Sequence, residues 1–322
     1  MVLRRREMLM AAGALSCIPG AWAQASAPVP GTIKYVVPFP PGGLTDVMGR
    51  IAAARLADAL KVQVIVENKA GGNAQIGAEQ VAKGPADGSQ ILAITLAHAA
   101  NATLFPQARY DLMKDLKPVA LLAGSPMLVV VPAASPIKDF QGLMQAAKAR
   151  KLNAGSSGNG TPPHLTMALF NQINKSEMTH VPYRGGAPSM TDLIGGQLDV
   201  VFSNYPESVA HVKAGRLRAL AFCSAARNPK MPDVPTTTEV GMPGLLVENW
   251  TAAMVQAATP AALVERYSRE LIKTMFTPEV EERAKVLGFN PNPMGTDAFA
   301  GFLKNEVTRW QRIITSAKIT AT

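Results

Sequence analysis

Apolar and polar positions along most of the chain alternate between a strand-like and a helix-like period. An apolar, β-branched run at residues 33–37 is broken by Pro38, Pro40 and Pro41, none of which can donate in a sheet ladder. Gly42 and Gly43 follow and open backbone angles closed to other residues. Met48, Ile51, Ala52, Leu56, Ala59 and Leu60 then recur at helical spacing, with Arg50 and Asp58 turned away. The stretch predicts strand, glycine turn and helix, with Thr45 or Asp46 as the helix N-cap.

The same alternation continues. Short strands are predicted at residues 62–66 and 90–96, and helices at 78–83 and from 98 to 104. Repeated strand-then-helix units imply a parallel sheet with helices outside. Two β-rich pieces, 119–122 and 127–131, flank Gly124-Ser125-Pro126, where a crossover to a second lobe is expected. Beyond it come helices at 139–150, 164–173, 188–194 and 208–214, and strands at 179–182, 199–202 and 217–222. A proline- and threonine-rich link, 228–243, leads to a return crossover at 245–257. Helices at 260–274, 278–287 and 297–316 are expected to pack back on the first lobe. The predicted fold class is α/β, with lobe 1 made of residues 24–124 and 246–322 and lobe 2 of residues 125–245.

Composition narrows the class. With 322 residues, 48% hydrophobic and 17% charged, the chain is an ordered globular protein large enough for two lobes. The net charge of +9 favours anionic partners in general. Its lysines and arginines are scattered and not interleaved with aromatics, which argues against nucleic acid. Residues 1–23 have the form of an export signal: Arg4, Arg5 and Arg6, a short apolar segment at 8–18, and Ala21-Trp22-Ala23 as cleavage site. A twin-arginine signal and an ordinary secretory signal both fit, and Cys17 lacks the neighbours of a lipoprotein box. Cleavage near Ala23 removes three arginines and one glutamate, which takes +9 to +7, and leaves Cys223 as the single cysteine. An internal disulfide or two-cysteine metal site is then impossible. The run at 119–134 is interrupted by Ser125, Pro126 and Pro132 and does not read as a membrane span. The expected product is soluble and exported.

The candidate chemistry sits in two glycine loops. A glycine turn feeding a helix start leaves several backbone N–H groups unpaired beside the positive end of the helix dipole, which suits a carboxylate or phosphate. It equally serves as a plain strand-to-helix connection. The second loop, residues 155–163 (GSSGNGTPP), repeats this logic, adding the hydroxyls of Ser156, Ser157 and Thr161 and prolines at the helix start. Ligands in open α/β sheets bind at the carboxyl ends of strands, so the two loops could face each other across a cleft. Pro163 stands where a dinucleotide fingerprint needs its third glycine, and no phosphate-loop motif is present. Asn159 breaks the G-x-S-x-G elbow around the two serines. An exported hydrolase using Ser156 or Ser157 with His164 stays open, since a triad needs only proximity in space. His98, His164, His180 and His211 show no metal-ligand spacing. His98 and His164 follow strands, where a ligand or a helix-start hydrogen bond would occupy them. Arg184 in PYRGG could pair with an anion or stay solvated, and Asn204 could donate to a ligand or cap a helix.

Taken together, several stretches carry a family pattern: IKYVVPFPPGGLTDVMGR, VIVENKAGGNAQIGAEQVAKGPADGSQIL, YDLMKDLKPVALL, SSGNGTPPHL, HVPYRGGAPSMTDLIGGQLDVVFSN and MPDVPTTTEVGMPG. In that order, from about residue 33 onward, they make the chain resemble the Bug family of extracytoplasmic solute receptors, the periplasmic components of tripartite tricarboxylate transporters. The resemblance implies a type II periplasmic binding protein, each lobe a mostly parallel sheet flanked by helices, with the ligand cleft between lobes. It implies a small carboxylate held between the two glycine loops, partly through ordered water, and no catalysis or cofactor. Carried over by motif, Phe39, Pro41, Gly42, Gly43 and Asp46 come from the first loop. Ser156, Gly158, Gly160, Thr161 and His164 come from the second. Thr95, His98, Arg184 and Asn204 would line the cleft. The implied protein is a periplasmic monomer that serves membrane transport subunits, or else a sensor feeding a signalling partner. It departs from the family at Asn73 and Ala74, where glycine is common.

Overall fold

The computed structural model describes residues 28–320. The export signal expected at residues 1–23, with its cleavage site and Cys17, lies outside the described residues. The elements, in order, are β1 (Thr32–Val37), α1 (Leu44–Leu60), β2 (Gln63–Asn68), α2 (Gln75–Ala82), β3 (Gln90–Thr95), α3 (Leu96–Leu104), β4 (Leu116–Pro132), α4 (Phe140–Ala149), β5 (Asn153–Ser156) and α5 (Pro162–Asn174). They continue with β6 (Thr179–Pro182), α6 (Gly186–Ile194), β7 (Val200–Asn204), α7 (Tyr205–Lys213), β8 (Leu217–Phe222), β9 (Glu248–Gln256), α8 (Ala261–Met275), α9 (Pro278–Leu287), β10 (Asn290–Met294) and α10 (Thr296–Ser316).

Two sheets share one long strand. In the first, the order is β2-β1-β3-β9-β4-β10, and β1, β2, β3 and β4 run one way while β9 and β10 run the other. In the second, the order is β8-β4-β7-β5-β6, and only β4 opposes the rest. Most strands of each sheet therefore point the same way, and β4 links the two sheets. The 17 residues of β4 pass through both sheets without a break at Gly124-Ser125-Pro126. The early part of β4 pairs with β9 and β10, and from Met127 onward it pairs with β7 and β8. The two short pieces predicted from sequence are thus one strand. Ser125, fully buried there, satisfies its hydroxyl on the Gly288 carbonyl at 3.3 Å. Strand β10 was not anticipated, because Pro291 and Pro293 argue against a strand. They are tolerated because β10 is a sheet edge that pairs with β4 alone, with a register shift.

The faces follow the strand period. Ile33, Tyr35 and Val37 of β1 pack with Met48, Ile51 and Leu56 of α1 and with Leu263, Tyr267 and Leu271 of α8. Val36 points to the opposite face, whose cluster includes Ala99 and Ala100 of α3 and Leu303 and Trp310 of α10. In the second sheet, Leu128 and Val130 pack with α6 and α7 residues such as Met190, Leu193 and Tyr205. The opposite face carries Met127, Val129, Phe170 and Phe202. The helix starts that follow β1, β3, β5, β6 and β7 consequently lie at the carboxyl ends of their strands.

Candidate functional site

One cavity of about 480 Å³ lies between the two sheets. Its walls include the β1–α1 loop (Phe39, Pro40, Pro41, Gly42, Gly43), Thr95, Ser157, Thr161, the β6–α6 loop from Arg184, Asn204, Glu207 and His211 of α7, and Asn249 of β9. The N-cap residues of five helices line it: Gly43 (α1), Thr95 (α3), Thr161 (α5), Gly185 (α6) and Asn204 (α7). Four of the five carry no side-chain cap hydrogen bond; only Thr95 does. The first N–H groups of a helix have no intrahelical acceptor, and the dipole adds partial positive charge there. The cavity is therefore ringed by the positive ends of helix dipoles, while Pro162 and Pro163 in α5, Pro188 in α6 and Pro206 in α7 leave fewer backbone donors there than at the start of α1.

The first loop is held from beneath. Helix α1 begins at Gly43, in extended backbone, so Thr45 and Asp46 are first-turn residues and not the cap expected from sequence. Asp46 is 3% exposed and turns away from the cavity. Its carboxylate accepts from the Gly42 N–H at 2.9 Å, from Arg50 Nε at 3.0 Å and from Asn68 Nδ2 at 2.9 Å. Asn68 Nδ2 also donates to the Phe39 carbonyl. Burial would raise the Asp46 carboxyl, but Arg50, the Gly42 N–H and Asn68 outweigh it and hold the group below the usual carboxylate range.

The second loop is organised by two histidines. His164, third residue of α5, accepts the Gly160 N–H on Nδ1 at 3.0 Å and stacks on His180 with ring centroids 4.0 Å apart. His180 Nε2 lies 2.6 Å from Ser156 Oγ. Thr161 Oγ1 donates to the Gly158 carbonyl at 2.6 Å. His98 plays the matching part at α3: its Nδ1 accepts the Thr95 N–H at 3.1 Å, and its ring meets Phe39 edge-on. Burial lowers His98 to about 4 and His180 to about 4; burial and then the neighbouring His180 lower His164 to about 3. All three rings are neutral at pH 7 and supply no positive charge.

A profile of the tripartite tricarboxylate transporter family receptor (TctC) matches residues 48–319. The chain belongs to that family. The relative BugT of Bordetella pertussis is 32% identical over 293 residues, covering 89% of this chain and 90% of its own. Among solved structures, Rpa4515 of R. palustris with adipate is similar with a TM-score of 0.85 and 30% identity, covering 90% of this chain and 98% of that one. MatC of Rhodopseudomonas palustris with bound malate is similar with a TM-score of 0.81 and 28% identity, covering 88% and 98%. The fold is that of periplasmic solute-binding proteins of the TctC/Bug type.

Of the residues carried over from the family motifs, this TctC receptor brings Phe39, Pro41, Gly42, Gly43, Thr95, Thr161, Arg184 and Asn204 to the cavity wall. Asp46, His98, Ser156, Gly158, Gly160 and His164 do not line it. They are the groups just described, which bond to the loop backbone or pack behind it. The hydrolase pairing fails on geometry. Ser156 is fully buried off the cavity and bonds to His180, while His164 is occupied by Gly160. Ser157 reaches the wall, but its hydroxyl has no hydrogen-bond partner and so no base. Among the described residues no cluster of histidine, cysteine and carboxylate side chains is arranged to hold a metal ion. No helix among them is long and apolar enough to cross a membrane.

Sequence reasoning missed Glu207, His211 and Asn249. Glu207 was within reach of it, as the first-turn acid of the helix that follows Asn204. Asn249 lies inside the return strand β9, where nothing in the pattern marks a ligand residue. Asn73 and Ala74, the departures from the family's glycines, both adopt left-handed backbone, with φ of 57° and 70°. Asparagine tolerates this region, and Ala74 carries the steric cost.

Proposed function

We propose that this protein is an exported periplasmic receptor that closes on a small organic acid. It then presents the acid to the membrane subunits of a tripartite tricarboxylate-type transporter. The observation that carries the reading is the convergence of five helix N-termini on one cavity. Backbone donors and dipoles aimed at one space stabilise a carboxylate without a buried cation. Arg184 adds a planar donor fork at the rim. A cavity of about 480 Å³ is in the range for a small-molecule site. The bound malate and adipate of the two solved relatives support a carboxylate here. In this reading lobe 1 comprises residues 24–124 and 246–322, lobe 2 residues 125–245, and β4 and β9 form the hinge. No residue performs chemistry.

Native mass spectrometry of protein taken from the periplasm without refolding tests the reading. A discrete added mass that leaves on mild unfolding identifies a captured ligand. Carboxylates are then screened by thermal shift, since a ligand at 100 times its Kd adds roughly 2.7 kcal/mol of stability. Gly43→Val and Thr161→Val should each weaken binding. Unchanged affinity in both would remove the two loops from the site.

A further inference from the structure

The cavity attracts anions from most of its wall, but one side is built the other way. Glu207, in the first turn of α7, lines it and is partly buried. Oε1 accepts from Asn204 Nδ2 at 3.0 Å, and Asn204 Oδ1 accepts from Asn249 Nδ2 at 2.9 Å. This chain has a direction. A carboxylate only accepts, so it fixes the donor end of Asn204, which in turn fixes the donor end of Asn249. The remaining acceptor, Asn249 Oδ1, is buried and has no hydrogen-bond partner. A buried acceptor left this way is costly.

Room for the carboxylate comes from a neighbouring turn. A Cβ at Gly186 would lie 2.2 Å from Glu207 Oε2, so a larger residue there would displace the carboxylate from its present position. Among the described residues no ion pair to Glu207 forms. When ionised, as at pH 8, Glu207 repels a second carboxylate across a low-dielectric space and attracts an ammonium group. Burial of Glu207 raises its carboxyl to about 7, as expected where nothing positive offsets it.

We infer that the ligand carries an ammonium group as well as its carboxylate, and that Glu207 with the Asn204–Asn249 amides is the subsite that selects it. The preferred ligands are then amino acids over the matching plain diacids. This rests on the receptor reading above and goes beyond it by naming the ligand class.

The test uses purified protein stripped of bound ligand and titrated calorimetrically at pH 8 with matched pairs: aspartate and succinate, glutamate and glutarate, 2-aminoadipate and adipate. In the wild type, the amino member of at least one pair binds at least tenfold tighter than its partner. In Glu207→Gln that member weakens at least tenfold, while the plain acid stays within threefold or tightens. The shape of Gln is close to that of Glu, and circular dichroism checks the fold. Asn249→Ala, which leaves the carboxylate in place, should keep the sign of the preference and reduce its size. Plain acids that bind as well as their amino counterparts, or a Glu207→Gln variant that keeps the preference, would overturn the inference and leave the receptor reading intact. Failure of every compound to bind folded wild-type protein would overturn both.

Discussion

Gly160 has a contact that separates the cost of a loop conformation from the cost of bringing the sheets together. It sits in the β5–α5 loop at φ +66°. A Cβ there would lie 2.4 Å from Asn73 Nδ2 and 3.1 Å from Asn101 Oδ1, both on the other side of the cleft. Those two asparagines bond to each other, Nδ2 of Asn101 to the Asn73 carbonyl at 2.7 Å and Nδ2 of Asn73 to Asn101 Oδ1 at 3.2 Å. Gly160→Ala therefore has two separable effects. The left-handed backbone costs about 1–2 kcal/mol whether the cleft is open or closed. The displaced Asn73 amide costs about 1–2 kcal/mol more, at about 1 kcal/mol per net hydrogen bond, and only when the lobes meet. Affinity should fall roughly 5- to 30-fold on the scale of 1.4 kcal/mol per tenfold. Asn73→Gly removes the amide that is struck and suits the left-handed backbone at that position. Calorimetric titration of the four proteins of this cycle, with whichever acid of the panel binds, gives the coupling. Affinity losses that add within about 0.5 kcal/mol would refute the contact, since independent sites add to that degree.

Three further outcomes follow from the same geometry. The folded carboxyl of Glu207 titrates at about 7, above its ordinary 4.5, so the folded state holds the proton more tightly and stability falls as pH rises between those values. Relative to wild type, ligand-free Glu207→Gln should gain up to about 3 kcal/mol between pH 4.5 and 8 in denaturant unfolding; a flat difference would contradict the burial argument. Asp46→Ala should cost about 2–3 kcal/mol at pH 7 by leaving the Gly42 N–H and Asn68 unpaired, and the gap should narrow as pH drops below the usual carboxylate range, where the low-titrating Asp46 gains its proton. Ser156→Ala should cost about 1 kcal/mol through its lost bond to His180 and leave ligand affinity within threefold; a tenfold loss of affinity would put Ser156 in the site.

Much of the fold was legible because its elements are regular. The strand period at 33–37 and the helical period from Met48 gave β1 and α1 within a residue or two at most ends, and β8 and α9 were placed at their observed bounds. What failed was punctuation by proline and glycine. Pro126 looked like a break inside β4, and Pro291 and Pro293 hid β10, because sequence does not say whether a proline faces a ladder partner or an edge. The motifs located the right loops but not the direction of each atom within them. Gly42 and Gly43 face the cavity, whereas Gly158 and Gly160, in an equally glycine-rich loop, do not line it. Asp46 and His164 sit in the first turns of α1 and α5, and their facing depends on hydrogen-bond partners 22 and 4 residues away.

That distinction explains how the cavity is charged. Asp46, His98 and His164 are the residues chemical intuition would assign to a ligand, yet each accepts the N–H of a backbone turn near a helix start and faces away from the cavity. Occupying those N–H groups with side chains fixes the loops, and the positive dipole ends of α1, α5, α6 and α7, with the first-turn N–H groups that Pro162, Pro163, Pro188 and Pro206 do not remove, are left for an anion. Attraction of this kind does not titrate, and the neutral rings of His98, His164 and His180 do not add to it between pH 5 and 8. The titratable side chains on the wall are Arg184, Glu207 and His211. Burial, and then Arg216, push His211 below its ordinary value, toward the neutral form. Glu207 is left as the group whose charge changes near neutrality, opposite a ring of fixed positive dipoles. A receptor that needed only to attract a carboxylate would be complete without it, so its presence on the wall bears on what else the ligand must carry.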